Sequence, residues 1–251
     1  MATTMFGLNS RYRICDLFGI PIYISTSFIF LLVLFVLDMH SFGYGLAVAL
    51  MLAISVTAHE LGHALTARAF GYRTSDITLS LLGGCASLIA LPRKPYQEFL
   101  VAIAGPLVSF GLSALVFLLD VFQVPVYSPF LRFCCAYFFW MNIVLGAFNL
   151  LPGFPMDGGR IFRSAMQLFT SRAKATFVAM WVGRVTAVLV GLRGLAAMFN
   201  GGGFGFISVL IAWMIWKEGY REYLLARQEE NFRNWTQDDF SARVSPPPYD
   251  R

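Results

Sequence analysis

Residues 42–70 read FGYGLAVALMLAISVTAHELGHALTARAF, an apolar run broken only by His59, Glu60, His63 and Arg68. A bilayer is crossed by about 20 apolar residues of helix, so this run is long enough to span one. Three ionisable residues within five positions are costly at that depth and mark a functional site by default. On a helix, His59 and His63 stand four apart and share a face, so both imidazoles can reach one metal ion. Glu60 then points near a water on that metal, where its carboxylate can act as general base.

The rest of the chain agrees with a membrane setting. Of its 251 residues 57% are hydrophobic and 13% are charged, against about 25% charged in soluble domains. A water-soluble domain is thereby excluded. The net charge of +5 comes from Lys and Arg in short clusters between apolar runs, which is membrane topology rather than a nucleic-acid surface. Four cysteines without C-x-x-C spacing read as small core hydrophobes. No cleavable signal peptide is expected, because no small-residue cleavage site follows the first apolar run.

Six spans are expected, at about 20–37, 42–70, 99–119, 133–151, 175–192 and 204–216. Arg11 and Arg13 precede the first span, Arg68 lies at the end of the second with Arg73, Arg93 and Lys94 after it, and Arg160, Arg163, Arg172 and Lys174 follow the fourth. The loops between carry none apart from Arg193, which predicts a multi-pass protein of the cell membrane with both termini cytoplasmic. From Ile77 the order Ile-Thr-Leu-Ser-Leu has the period of a strand, and after Gly83-Gly84 the segment Cys85–Leu91 resumes it. The expected fold class is therefore an all-α polytopic membrane protein of about six helices. It carries a short β-hairpin at the membrane face between helices 2 and 3. Residues 1–216 form the core and 217–251 a charged, Pro-rich cytoplasmic tail that begins as a helical extension.

Two histidines leave a metal shell incomplete, since a catalytic zinc takes three protein ligands and a water. Asp157 is the outstanding carboxylate. It follows the fourth run in Asn149-Leu-Leu-Pro152-Gly-Phe-Pro155-Met-Asp157-Gly158-Gly159, where the prolines and glycines stop the helix and fix an irregular turn. Such backbone is tolerated at membrane depth only when buried in protein or lining a wet cavity. A second reading, in which Asp157 merely caps the helix that follows, stands beside it. The second and fourth spans run in the same direction, so His59, His63 and Asp157 fall at similar depth toward the cytoplasmic face. Asp38, His40 and Asp120 fall on the outer side. Arg184 is an intramembrane charge without an assigned partner.

The pairing of His59-Glu60-x-x-His63 with Asn149-x-x-Pro152-x-x-Pro155-x-Asp157-Gly158 resembles the site-2 protease family of intramembrane zinc metalloproteases. Gly19-Ile20-Pro21-Ile22, Gly83-Gly84 and Ala104-Gly105-Pro106 add to the likeness, which covers about residues 11–216. The resemblance implies one Zn²⁺ per chain on His59, His63 and Asp157, with Glu60 as catalytic base and Asn149 as an active-site polar group. It implies cleavage of the transmembrane segment of a single-pass substrate within the bilayer, as in regulated intramembrane proteolysis. A regulatory membrane protein or an oligomer would be a further partner, whereas the appended sensor domains of many relatives are not expected. Asn149 suits hydrogen bonding to an oxyanion, or else a bond between helices. The 77–91 segment suits capture of an unwound peptide by strand addition, or else structural cover. Three other functions remain open: a prenyl-protein processing protease, which would need a glutamate as third ligand, a zinc transporter, and a zinc-binding scaffold without proteolysis.

Overall fold

A computed structural model describes residues 10–39, 41–80, 83–88, 94–121, 128–200 and 205–244, with side chains throughout except at 38, 83–88, 120–121 and 237–244. The elements run β1 (Arg11–Leu17), β2 (Ile20–Ser25), α1 (Thr26–Asp38), α2 (Phe42–Ala69), β3 (Thr74–Ser80), β4 (Gly83–Leu88), α3 (Pro95–Val121), α4 (Pro129–Asn149), α5 (Asp157–Met166), α6 (Arg172–Phe199) and α7 (Gly205–Val244). The described residues are mostly helical with one small sheet. It divides into two compact units, Met1–Leu150 and Leu151–Arg251.

In the first unit the sheet is larger than the expected hairpin. Its order is β1-β2-β3-β4, with β1 and β2 antiparallel, β2 and β3 parallel, and β3 and β4 forming the hairpin the alternation foretold. The first expected span therefore needs correction, because Ile20–Ser25 is strand rather than helix. Branched side chains at Ile20, Ile22 and Ile24 pack well on a pleated surface. Phe18 and Gly19 both have positive φ, 53° and 78°, the backbone of a two-residue primed turn that matches strand twist. Ser25 then starts α1 by accepting a hydrogen bond from Phe28 N. The helix that remains has 13 residues, about 20 Å at 1.5 Å per residue.

One face of the sheet joins α2. Ile20, Ile22, Ile77 and Leu79 form a buried cluster with Phe28, Val56 and Ala64, the larger side chains each contributing about 1.5–3 kcal/mol where burial takes them out of water. Val56 and Ala64 bracket the segment His59–His63, so the sheet braces the stretch of α2 that carries the ionisable residues. The other side of α2 packs on α3 and α4.

In the second unit α6 and α7 lie antiparallel, with Arg172 facing Glu229, Phe177 facing Tyr223 and Gly191 facing Ala212. Helix α7 has 40 residues and runs unbroken through the expected boundary at 216. The cysteine expectation is corrected for Cys15, which is exposed on β1. Among the described residues four helices are long and apolar enough to cross a membrane, α2, α3, α4 and α6, while α1 is a shorter apolar helix. About six crossings are thus not established by helix length. His40, the Gly201–Gly203 break, Ile89–Leu91 and the Pro246–Pro248 run lie outside the described residues, as does the side chain of Asp120.

Candidate metal centre

The two histidines meet as their spacing requires. His59 and His63 are buried on α2, and their Nε2 atoms lie 3.3 Å apart. Two imidazole nitrogens each 2.0–2.1 Å from one tetrahedral ion would sit about 3.3–3.4 Å apart, so the pair already has the span of two ligands. Each ring is held by its other nitrogen. His63 Nδ1 is 2.7 Å from the Val101 carbonyl oxygen, an obligate acceptor, so it carries the proton and Nε2 carries the lone pair. His59 Nδ1 is 2.9 Å from Ser109 Oγ. Anchoring the far nitrogen in this way orients both rings, and the carbonyl at His63 also sets that ring's tautomer.

Both anchors belong to α3, and their spacing explains the arrangement. Val101, Gly105 and Ser109 stand four apart and form one stripe of that helix. Val101 meets His63 and Ser109 meets His59, while Gly105 lies between. A Cβ built on Gly105 would fall 2.2 Å from His63 Nε2 and 2.8 Å from His59 Nε2. Only glycine leaves that space open, and its position matches where an ion on both nitrogens needs room. Gly62 on α2 faces the Ala104 carbonyl oxygen, 2.9 Å from where its Cβ would be, so the two helices approach backbone to backbone. Pro106 cannot donate to the Ala102 carbonyl and disturbs α3 at this level. In the sequence Gly105 and Pro106 stand out only as part of the Ala104-Gly105-Pro106 likeness. The missed signal was the four-residue spacing of 105 and 109, which mirrors that of 59 and 63.

Glu60 is buried beside the pair on the same turn of α2. Asn149 is the last residue of α4, half-buried, and its Nδ2 donates to Leu145 O of its own helix at 3.0 Å. A bond between helices belongs instead to Asn142, which is fully buried and donates to Ser55 Oγ on α2 at 2.9 Å.

In the second unit Asp157 is buried and is the first residue of α5. The N-cap is Met156, so Asp157 is not the cap. A carboxylate there meets the positive end of the helix dipole. The preceding loop is tight, since Met156 N donates to Gly153 O at 3.1 Å and the Phe154–Pro155 peptide is cis. A Cβ on Gly159 would fall 2.7 Å from the Gly153 carbonyl carbon, which accounts for glycine there. Arg163, buried, stacks over Phe154 and pairs with Glu222 of α7 at 2.9 Å. Asp157 is therefore presented by a fixed turn.

The sequence matches the description "Peptidase family M50" over residues 47–132 and 127–192, which include His59, Glu60, His63, Asn149 and Asp157. The chain belongs to Peptidase family M50. A protein of Synechocystis is 34% identical over 256 residues, covering 95% of this chain and 66% of its own length. A zinc metalloprotease of Methanocaldococcus jannaschii is 31% identical over 230 residues, covering 90% of this chain and 65% of its own. This M50 chain thus spans about two thirds of the length of the curated relatives it matches. Among solved structures, the site-2 protease from Methanocaldococcus jannaschii superposes with a TM-score of 0.61 at 29% identity, over 85% of this chain and 95% of that one. With four apolar helices of spanning length, this M50 member is an integral membrane protein.

Proposed function

We propose that this protein is a zinc-dependent endopeptidase that cuts the transmembrane segments of single-pass membrane proteins within the bilayer. The observation that carries the reading is the imidazole pair on an apolar, spanning helix, with both Nε2 atoms converging and both Nδ1 atoms anchored by α3. A zincin-like glutamate stands between them in sequence. The ligand set we infer is His59, His63 and Asp157 with one zinc per chain, a two-histidine, one-carboxylate set typical of peptide hydrolases. Family membership and the metalloprotease relative support zinc and proteolysis. They give no support to transport or to a scaffold.

Zinc in such a site supplies a Lewis acid that polarises a carbonyl and eases deprotonation of water. Glu60 accepts a proton at its carboxylate and returns it to the departing amine. Asn149 turns its Nδ2 from Leu145 O toward the oxygen on which charge develops, and the α2–α3 packing keeps bulk water from the buried rings. Asn149→Ala is expected to lower kcat by about 10²–10³, the usual cost of losing one oxyanion donor. An unchanged kcat would return Asn149 to a structural role. Ser109→Ala is expected to weaken zinc binding about tenfold to a hundredfold, read by competition with a chromogenic chelator. Equal affinity would leave Ser109 to packing.

In this reading α1 and the apolar start of α7 join the four long helices as further crossings, with both termini cytoplasmic. The strand β4 is an edge of the sheet and suits capture of an unwound substrate by strand addition. The test is reconstitution with a panel of single-pass proteins, with fragments mapped by mass spectrometry. Cuts inside the apolar segment that vanish with a chelator and return with zinc are expected. Chelator-resistant cleavage, or cuts confined to exposed loops, would overturn the proposal.

A further inference from the structure

Arg184 has no carboxylate partner among the described residues, yet its guanidinium is not bare. It lies between two indoles, 4.7 Å from the ring centre of Trp181 on its own helix and 4.7 Å from that of Trp216 on α7. Its Nε is buried with no hydrogen-bond partner. Next to Trp216, Lys217 places its ammonium 5.2 Å over the Trp213 ring, and no carboxylate pairs with it among the described residues either. Trp181, Trp213 and Trp216 are 48%, 59% and 45% exposed, so the cluster faces outward from the helix pair rather than into a core.

Its level in the membrane follows from α7. The apolar part of that helix ends at Trp216, and Lys217, Glu218, Tyr220, Arg221 and Glu222 come next. Tryptophan is enriched where hydrocarbon meets headgroups. Contact with Trp216 puts Arg184 at the level of Trp216 as well. Two unpaired cations flanked by amphipathic rings at this depth match a phosphate above acyl chains. The guanidinium fork suits phosphate oxygens, and the half-exposed indoles suit the glycerol and first methylenes. Basic clusters between helices at a membrane face are known to hold anionic headgroups.

We propose that Arg184 and Lys217, with Trp181, Trp213 and Trp216, form a binding site for the headgroup phosphate of an anionic phospholipid. Placed on the α6–α7 pair, the bound lipid ties that pair to one leaflet. The site stands on contacts within the second unit and does not depend on proteolysis.

The test is native mass spectrometry of the delipidated full chain, titrated with phosphatidylglycerol and with phosphatidylcholine of the same acyl chains. Preferential phosphatidylglycerol adducts are expected. Arg184→Gln with Lys217→Gln should lower phosphatidylglycerol affinity to the phosphatidylcholine level, by about five-fold for each charge removed. Lys217→Gln alone alters only an exposed side chain, so its partial loss decides the matter should the double variant fold poorly. Arg193→Gln with Arg227→Gln, exposed cations elsewhere on the same two helices, should bind as the wild type does. Equal adducts with both lipids, undiminished binding in Lys217→Gln, or equal losses in the control pair would overturn the site. Inorganic phosphate at the lipid's own concentration should not displace it, and displacement would reassign the site to a soluble anion.

Discussion

Gly105→Ala is expected to empty the metal centre while leaving the helices intact. The added methyl would lie 2.2 Å from His63 Nε2, 2.5 Å from His63 Cε1 and 2.8 Å from His59 Nε2, all closer than real Cβ contacts allow. The rings cannot swing aside freely, because His63 Nδ1 would leave the Val101 carbonyl and His59 Nδ1 would leave Ser109. Each lost bond between buried groups leaves a donor or acceptor unsatisfied at about 1–3 kcal/mol. Secondary structure should survive, since alanine favours a helix by up to about 1 kcal/mol over glycine. Zinc content should fall to near nothing and cleavage with it, while circular dichroism stays that of the wild type. Gly111→Ala on the same helix meets no atom within 4 Å and should keep full zinc. Full zinc in Gly105→Ala would show that the rings relax around the methyl, and the close fit would then mean little.

Glu60→Gln carries the second large effect. In our reading Glu60 is the base and not a ligand, so the variant should hold zinc as the wild type does and lose turnover. General acid–base groups contribute about 10²–10⁴ in rate, and the loss should fall on kcat with KM little changed. Glutamine keeps the shape of the side chain, so a folding defect is not the expected cause. Full activity in Glu60→Gln would remove the base, and loss of zinc would make Glu60 structural.

What the sequence revealed of this site, and what it hid, has a physical basis. His59 and His63 were legible because one helix carries both and helical geometry alone sets their spacing. Their anchors were not, since Val101 acts through a backbone carbonyl that has no residue signature, and Ser109 reads like any small residue at a helix contact. The sheet shows the same division. Alternation at Ile77–Leu81 betrayed β3 because its faces differ in polarity. Ile20–Ser25 was hidden because β2 sits apolar against the run that becomes α1, and only alternate isoleucines and Pro21 hinted at strand. Arg184 was visible as a charge but not its answer, since Trp216 lies on another helix. Helix α7 continues into the charged tail as expected, because nothing after Trp216 stops a helix and polarity changes without the backbone changing.

The most direct measurement is zinc per chain by elemental analysis, with cleavage of a reconstituted single-pass substrate, in the wild type, His63→Ala and Asp157→Ala. About one zinc per chain is expected in the wild type, with zinc retention weakened and cleavage abolished in both variants. Undiminished zinc with normal cleavage in Asp157→Ala would contradict the ligand set, and undiminished zinc in His63→Ala would contradict the metal centre itself.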